Sequence, residues 1–154
     1  MTVYFFDSSA LVKRYVAEIG SIWVESLFHP SLKNNVFIAA ITAVEITAAI
    51  SRRARGGNIS PTDAKAVYSQ LKNDLQSEYQ VIEITDNIIN SAMTLTEKHG
   101  LRGYDAVQLA AAQAINNLCI ANNLHPLTFI SADQELNNAA VHEGLVVDNP
   151  NNHP

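Results

Sequence analysis

Four acidic residues stand where a predicted strand or loop gives way to a helix: Asp7, Glu45, Asp105 and Asp133. Asp7 directly follows the apolar run Val3–Phe6, and Asp133 closely follows the run Leu127–Ser131. Carboxylate oxygens suit Mg²⁺ or Mn²⁺, hard ions that keep several waters and bind few protein ligands together with phosphate oxygens. The four acids therefore predict one divalent-metal site that can also bind phosphate groups.

Each acid also has a purely structural interpretation. Asp7, Asp105 and Asp133 are good helix N-caps, and Glu45 completes a capping box that begins at Thr42. The helix that Asp105 opens is apolar on nearly all sides, which puts this carboxylate near the core unless something pairs it. A bound cation is the partner that this pattern favours.

Other catalytic chemistries lack residues that they require. Zinc is disfavoured because the five histidines show no H-x-x-x-H or Cys/His ligand spacing. There is no G-x-S-x-G elbow and no Cys–His pair around Cys119, so a side-chain nucleophile is not indicated. Haloacid-dehalogenase-type phosphatases use an Asp-x-Asp motif in which Ser9 here takes the second position, and response regulators need an acidic pair where Phe5 and Phe6 stand. Hydrolysis by a water molecule that a metal ion activates is the mechanism that agrees with these absences.

Composition indicates one globular domain, because 154 residues with 47% hydrophobic and 16% charged residues can bury a core without staples. We expect a single domain over residues 1–148 and a short polar C-terminal tail over 149–154. The net charge of -5 opposes nucleic-acid binding at first sight, but ions bound to four acids would leave the remaining surface near balance.

Compartment and membrane signals are simple. Cys119 is the only cysteine, which excludes an intramolecular disulfide and favours a reducing cytoplasm. Met1–Phe6 lacks the pattern of a signal peptide, and no apolar run approaches the roughly 18 to 20 residues that span a bilayer. We therefore expect a cytoplasmic protein with no membrane partner.

Apolar strands alternate with amphipathic helices along the whole chain. The predicted strands are Val3–Phe6, Val36–Ile41, Val81–Ile84, Leu127–Ser131 and Leu145–Val147. Continuous apolar strands separated by helices are typical of a three-layer α/β/α sandwich with a mainly parallel central sheet. In such sheets the carboxyl ends of the strands border the ligand crevice, where Asp7 and Asp133 would lie.

Four stretches resemble the acidic motifs of the PIN-domain nucleases in order and spacing: Phe6–Lys13, Ala43–Glu45, Tyr104–Ala112 and Phe129–Asp133. Within that family the chain is similar to the VapC-type toxins of type II toxin–antitoxin modules. The resemblance implies a PIN-like fold and a Mg²⁺- or Mn²⁺-dependent endoribonuclease that cleaves RNA. It implies that the four acids are catalytic metal ligands, and that the partners are a small VapB-like antitoxin and a second copy in a homodimer.

Several other residues accompany the acids. Ser9 and Ser131 are expected to support the site, although Ser9 is equally well explained as a helix cap. Lys13, Arg14 and Arg102 are the candidates for contacts with substrate phosphate. Core packing is the favoured interpretation of Tyr104, with stacking on bases as the alternative. A catalytically inactive PIN-like module that binds RNA or protein is the competing hypothesis for the whole chain.

Overall fold

The computed structural model describes residues 1–154, in which strands and helices alternate. The strands are β1 (Val3–Phe6), β2 (Asn35–Ala39), β3 (Gln80–Ile82), β4 (Thr128–Ile130) and β5 (Val146–Asp148). The helices are α1 (Ser8–Leu11), α2 (Ser21–Ser26), α3 (Ala40–Arg55), α4 (Pro61–Ser77), α5 (Asp86–His99), α6 (Gly103–Ala121) and α7 (Gln134–His142). Short 3-10 turns cover Val12–Arg14, Pro30–Leu32 and Pro150–Asn152.

The five strands form one sheet in the order β3-β2-β1-β4-β5, and every neighbouring pair is parallel. β1 is central, with Phe5 opposite Phe37 of β2 and Phe129 of β4. Because side chains alternate along a strand, Phe5 enters one apolar cluster and Phe6 enters the other. The first cluster includes residues of α5, α6 and α7, and the second includes residues of α1, α2, α3 and α4. The predicted three-layer sandwich is confirmed.

The start of α3 differs from the sequence prediction. The helix begins at Ala40, with Ala39 as an N-cap that makes no side-chain hydrogen bond, so the predicted capping box from Thr42 to Glu45 is wrong. The Thr42 side chain is buried and accepts a hydrogen bond from Gln108 of α6 at 2.8 Å. The Thr42 hydroxyl therefore bonds to a side chain of another helix and does not cap α3.

The segment after β5 packs against the start of the chain. Pro150 is buried, and the His153 ring stacks on Trp23 of α2 with 4.1 Å between ring centroids. Gly20 has φ +86, and a Cβ at this position would lie 2.3 Å from the carbonyl oxygen of Pro150. The polar residues 149–154 are thus held to α2 by a contact that requires glycine.

Glu143, just after α7, ties three helices together. Its carboxylate accepts hydrogen bonds from Lys98 at 2.7 Å, His99 at 2.9 Å and Gln113 at 3.1 Å. These donors, the lysine foremost, lower the pKa of Glu143 to about 2.

No helix of the structure combines the length and the apolar character needed to cross a membrane.

Candidate active site

The carboxyl ends of the strands border a crevice of about 150 Å³. Its lining residues come from α1, α3, α6 and the loops that precede α1, α6 and α7: Asp7, Ser8, Ser9, Glu45, Arg102, Tyr104, Asp105, Gln108 and Asp133. All four acids singled out in the sequence are among them. The parallel topology explains this meeting, because residues that follow β1, β2 and β4 must emerge at the same edge of the sheet.

Asp7 is the most enclosed of the four acids, with only 3% of its surface exposed. It follows β1 directly and caps α1, accepting a hydrogen bond from the Ala10 amide at 3.0 Å. Burial raises the pKa of Asp7 to about 7, although hydrogen bonds from Ser131, Ser9 and Ala10 oppose the shift. The negative charge of Asp105 raises it further. The site therefore holds a carboxylate whose charge the protein only partly compensates.

Two serines connect Asp7 to the loop between β4 and α7. Ser131 is fully buried, donates to Asp7 Oδ2 at 2.6 Å and accepts from the Asp133 amide at 3.1 Å. Ser9 Oγ lies 2.7 Å from Asp7 Oδ1 and accepts from the Ala132 amide at 2.9 Å. The cap of α1 is Asp7 and not Ser9, so the structural alternative for Ser9 does not apply. Both hydroxyls hold the Asp7 carboxylate in one orientation.

Asp105 and Asp133 approach the crevice from different elements. Asp105 lies in the first turn of α6, whose N-cap is Arg102, so Asp105 does not cap the helix. Burial and the nearby charge of Asp133 raise the pKa of Asp105 to about 6, whereas the Arg102 guanidinium, 3.6 Å away, opposes the increase. Asp133 does cap α7, since it accepts from the Leu136 amide at 3.1 Å, and it lines the crevice as well. Its structural and functional interpretations are compatible.

Glu45 enters the crevice from the second turn of α3. Its Oε1 accepts hydrogen bonds from Ser8 at 2.7 Å and from Gln108 Nε2 at 3.0 Å. Neither donor was expected from the sequence. Gln108 carried a signal, because it is the single polar side chain in the otherwise apolar stretch Ala106–Ala112.

The three candidate phosphate contacts lie in different places. Arg102 lines the crevice with 68% of its side chain exposed. Lys13 is buried in an ion pair with Glu18 at 3.1 Å, and Arg14 pairs with Glu25 at 2.9 Å, both outside the crevice lining. The partners of these two cations, Glu18 and Glu25, do not line the crevice either. The structure therefore places Arg102 at the crevice and Lys13 and Arg14 outside its lining.

A larger groove of about 460 Å³ adjoins the crevice and shares Ser8, Ser9, Glu45 and Tyr104 with it. It continues along α3 past Ile41, Val44, Ala48 and Arg52. Tyr104 stands at the junction with 43% of its surface exposed, so the prediction that it packs in the core is wrong. The groove is mainly apolar, unlike the acidic crevice.

The crevice has the donors that a hard divalent cation requires. No three His, Cys, Asp or Glu side chains converge closely enough to form a ready-made cage. Four carboxylates around a small polar space nevertheless fit Mg²⁺ or Mn²⁺, which retain waters and use only a few protein ligands. Burial, and to a smaller extent neighbouring carboxylates, raise the pKa values of Asp7 and Asp105, and a bound cation would stabilise the charged forms of both side chains.

Known proteins share this architecture. The crystal structure of FitAcB from Neisseria gonorrhoeae has a TM-score of 0.67 at 15% identity, with 96% of this chain and 97% of that chain covered. A toxin–antitoxin complex from Klebsiella pneumoniae has a TM-score of 0.61 at 19% identity, covering 96% of this chain and 97% of that one. In sequence, the ribonuclease VapC45 of Mycobacterium tuberculosis is 27% identical over 117 residues, which are 76% of this chain and 79% of the relative.

The family model described as PIN domain matches residues 4–141, a range that covers nearly the whole chain and contains all four acids. The resemblance read from the motifs is thereby confirmed. This chain belongs to the PIN domain family.

Proposed function

We propose that the protein is a Mg²⁺- or Mn²⁺-dependent endoribonuclease and the toxin of a VapBC-like toxin–antitoxin pair. The observation that carries this proposal is the meeting of Asp7, Glu45, Asp105 and Asp133 in one crevice at the carboxyl ends of parallel strands. RNA is the proposed substrate because the relative VapC45 is named a ribonuclease. Phosphodiester hydrolysis is the reaction that a carboxylate site for hard cations serves best.

The roles of the side chains follow from their positions. When bound, a divalent cation would activate a water for attack on phosphorus and stabilise negative charge on the phosphate. The four acids would hold the ion, directly or through water. Ser9 and Ser131 orient Asp7 through their hydrogen bonds, and the exposed Arg102 guanidinium at the crevice would bind a substrate phosphate.

RNA cleavage by an Asp105→Asn variant tests this proposal. Purified protein is incubated with a structured RNA and Mn²⁺, and Asp63→Asn, which changes an exposed aspartate on α4, serves as the matched control. We expect Asp105→Asn to cleave at least about 100-fold more slowly than wild type, since loss of a mere outer-shell partner already costs about 10- to 100-fold. Asp63→Asn should cleave like wild type, and EDTA should stop both.

Equal cleavage by wild type and Asp105→Asn would contradict the proposal and identify the activity as contamination. RNA binding without cleavage by the wild type would instead support an inactive PIN-like binding module. The presence of all four acids in the crevice argues against that alternative.

An antitoxin and a homodimer complete the proposal. The Klebsiella pneumoniae neighbour is a toxin–antitoxin complex, and the exposed crevice and its adjoining groove offer this chain a surface that a small VapB-like protein can cover. Co-expression with the small protein encoded beside its gene should yield a stable complex that no longer cleaves RNA. Light scattering on the purified chain should give the mass of a dimer, and a monomer mass of 16.8 kDa would contradict that part.

A further inference from the structure

Gln108 is a buried polar residue beside the crevice whose presence the roles given above do not explain. Its side chain is 1% exposed within α6, among apolar neighbours in the stretch Ala106–Ala112. Its amide oxygen Oε1 is buried without any hydrogen-bond partner. An unpartnered buried carbonyl oxygen destabilises the fold, and an apolar side chain of similar size would avoid that cost. Packing alone therefore does not account for a glutamine at this position.

The amide nitrogen of Gln108 makes contacts that do account for it. Nε2 lies 2.8 Å from Thr42 Oγ1, 3.0 Å from Glu45 Oε1 and 3.1 Å from Ser8 Oγ. An amide nitrogen carries two hydrogens, so these three oxygens share two donors. The reversed amide would bring Gln108 Oε1 to the carboxylate oxygen with no proton between the two acceptors. The charge of Glu45 thus fixes the orientation of the amide.

Both donors to Glu45 bind the same carboxylate oxygen. Ser8 of α1 donates to Oε1 at 2.7 Å, and Gln108 of α6 donates to Oε1 at 3.0 Å. Glu45 Oε2 receives no hydrogen bond from the protein. Hydrogen bonds to an ionised carboxylate are short and directional, so two of them fix one end of the group and leave the other end for a ligand.

We propose that Gln108 is a positioning residue, which orients Glu45 so that Oε2 is available to a divalent cation. Thr42 supports the same amide from within α3. The inference rests on the proposed function, because it assumes an ion in the crevice. Partners of this kind change metal affinity by about 10- to 100-fold in other sites.

Mn²⁺ binding without RNA tests this role. Gln108→Met keeps a similar volume but removes both the donor and the unpartnered oxygen. Titration of the metal-free protein, with free Mn²⁺ detected by electron paramagnetic resonance, should show an affinity about 10- to 100-fold weaker than wild type. The melting temperature without metal should be below that of wild type, because the buried Thr42 hydroxyl loses its hydrogen-bond partner, and removal of the unpartnered Gln108 oxygen offsets only part of that loss.

Asn116→Ala is the matched control, since Asn116 is a buried amide on the same helix and accepts the Leu127 amide at 3.1 Å. This variant should melt at a lower temperature and bind Mn²⁺ like wild type. In a Glu45→Gln background, Gln108→Met should cause no further loss of affinity, because its effect passes through Glu45.

The outcomes separate the two proposals. A wild-type protein that binds no Mn²⁺ would overturn the ion site itself and the positioning role with it. Wild-type binding that Gln108→Met leaves unchanged, or weakens equally in the Glu45→Gln background, would overturn the positioning role alone. If Gln108→Met does not fold, Ser8→Ala removes the other donor to Oε1, and an unchanged Mn²⁺ affinity there would equally contradict the proposal.

Discussion

At pH 8, Ser131→Ala should destabilise the metal-free protein by about 2.5 to 4 kcal/mol. The Ser131 hydroxyl is fully buried and donates to Asp7 Oδ2 at 2.6 Å. At pH 8, above the pKa of Asp7, a hydrogen bond to this charged group contributes roughly 1.5 to 3 kcal/mol, and the Asp133 amide, left without its 3.1 Å acceptor, adds about 1 kcal/mol. For a chain of this size the loss corresponds to a melting temperature lower by about 5 to 15 °C.

The assay is thermal unfolding in EDTA, followed by circular dichroism, with Ser77→Ala as the matched control. Ser77 is exposed on α4, and its hydroxyl donates to the Asn73 carbonyl at 3.0 Å. Because water can replace this bond, the control should change stability by less than about 0.5 kcal/mol. If Ser131→Ala unfolded at the same temperature as Ser77→Ala, the reasoning that a buried carboxylate depends on this hydroxyl would be refuted.

Three further predictions test other parts of the fold and site. Glu143→Gln should destabilise the protein near neutral pH. Because the pKa of Glu143 in the folded state, about 2, lies below the usual value of about 4.3, the difference in urea midpoint between wild type and variant should shrink as the pH falls from about 4.3 to about 2. A difference that stays constant would contradict the ion pairs. Gly20→Ala should lower the free energy of unfolding, measured by urea titration, by at least about 2 kcal/mol, because its Cβ would meet Pro150. An unchanged free energy would mean that the C-terminal turn does not pack there. Arg102→Ala should weaken RNA binding in a filter assay without lowering stability, whereas Arg14→Ala should lower stability without weakening RNA binding. Weaker RNA binding by Arg14→Ala but not by Arg102→Ala would count against Arg102 as the phosphate contact.

The strand–helix alternation was readable from the sequence because each strand is a short apolar run that turn or capping residues bound. The same logic located Asp7 and Asp133, which directly or closely follow strands of a parallel sheet. Exact helix starts were not readable. The Thr42-to-Glu45 spacing matches a local cap, and only the approach of Gln108 from α6 determines that the hydroxyl is used elsewhere.

Charges were the least readable feature. Lys13 and Arg14 follow Asp7 closely in sequence, yet their side chains pair with Glu18 and Glu25, which do not line the crevice. Long flexible side chains choose partners in three dimensions, so sequence proximity to a catalytic acid says little about their targets. Gln108 was the missed signal, since one polar residue in an apolar helix demands a partner.

A crystal of the protein soaked with Mn²⁺ is the most direct test of the central claim that the four acids form an ion site. We expect an anomalous difference peak in the crevice, contacted by Asp7 and Asp105 oxygens and lost in the Asp105→Asn crystal. A fully soaked crystal whose crevice shows no anomalous peak would contradict the metal-dependent mechanism.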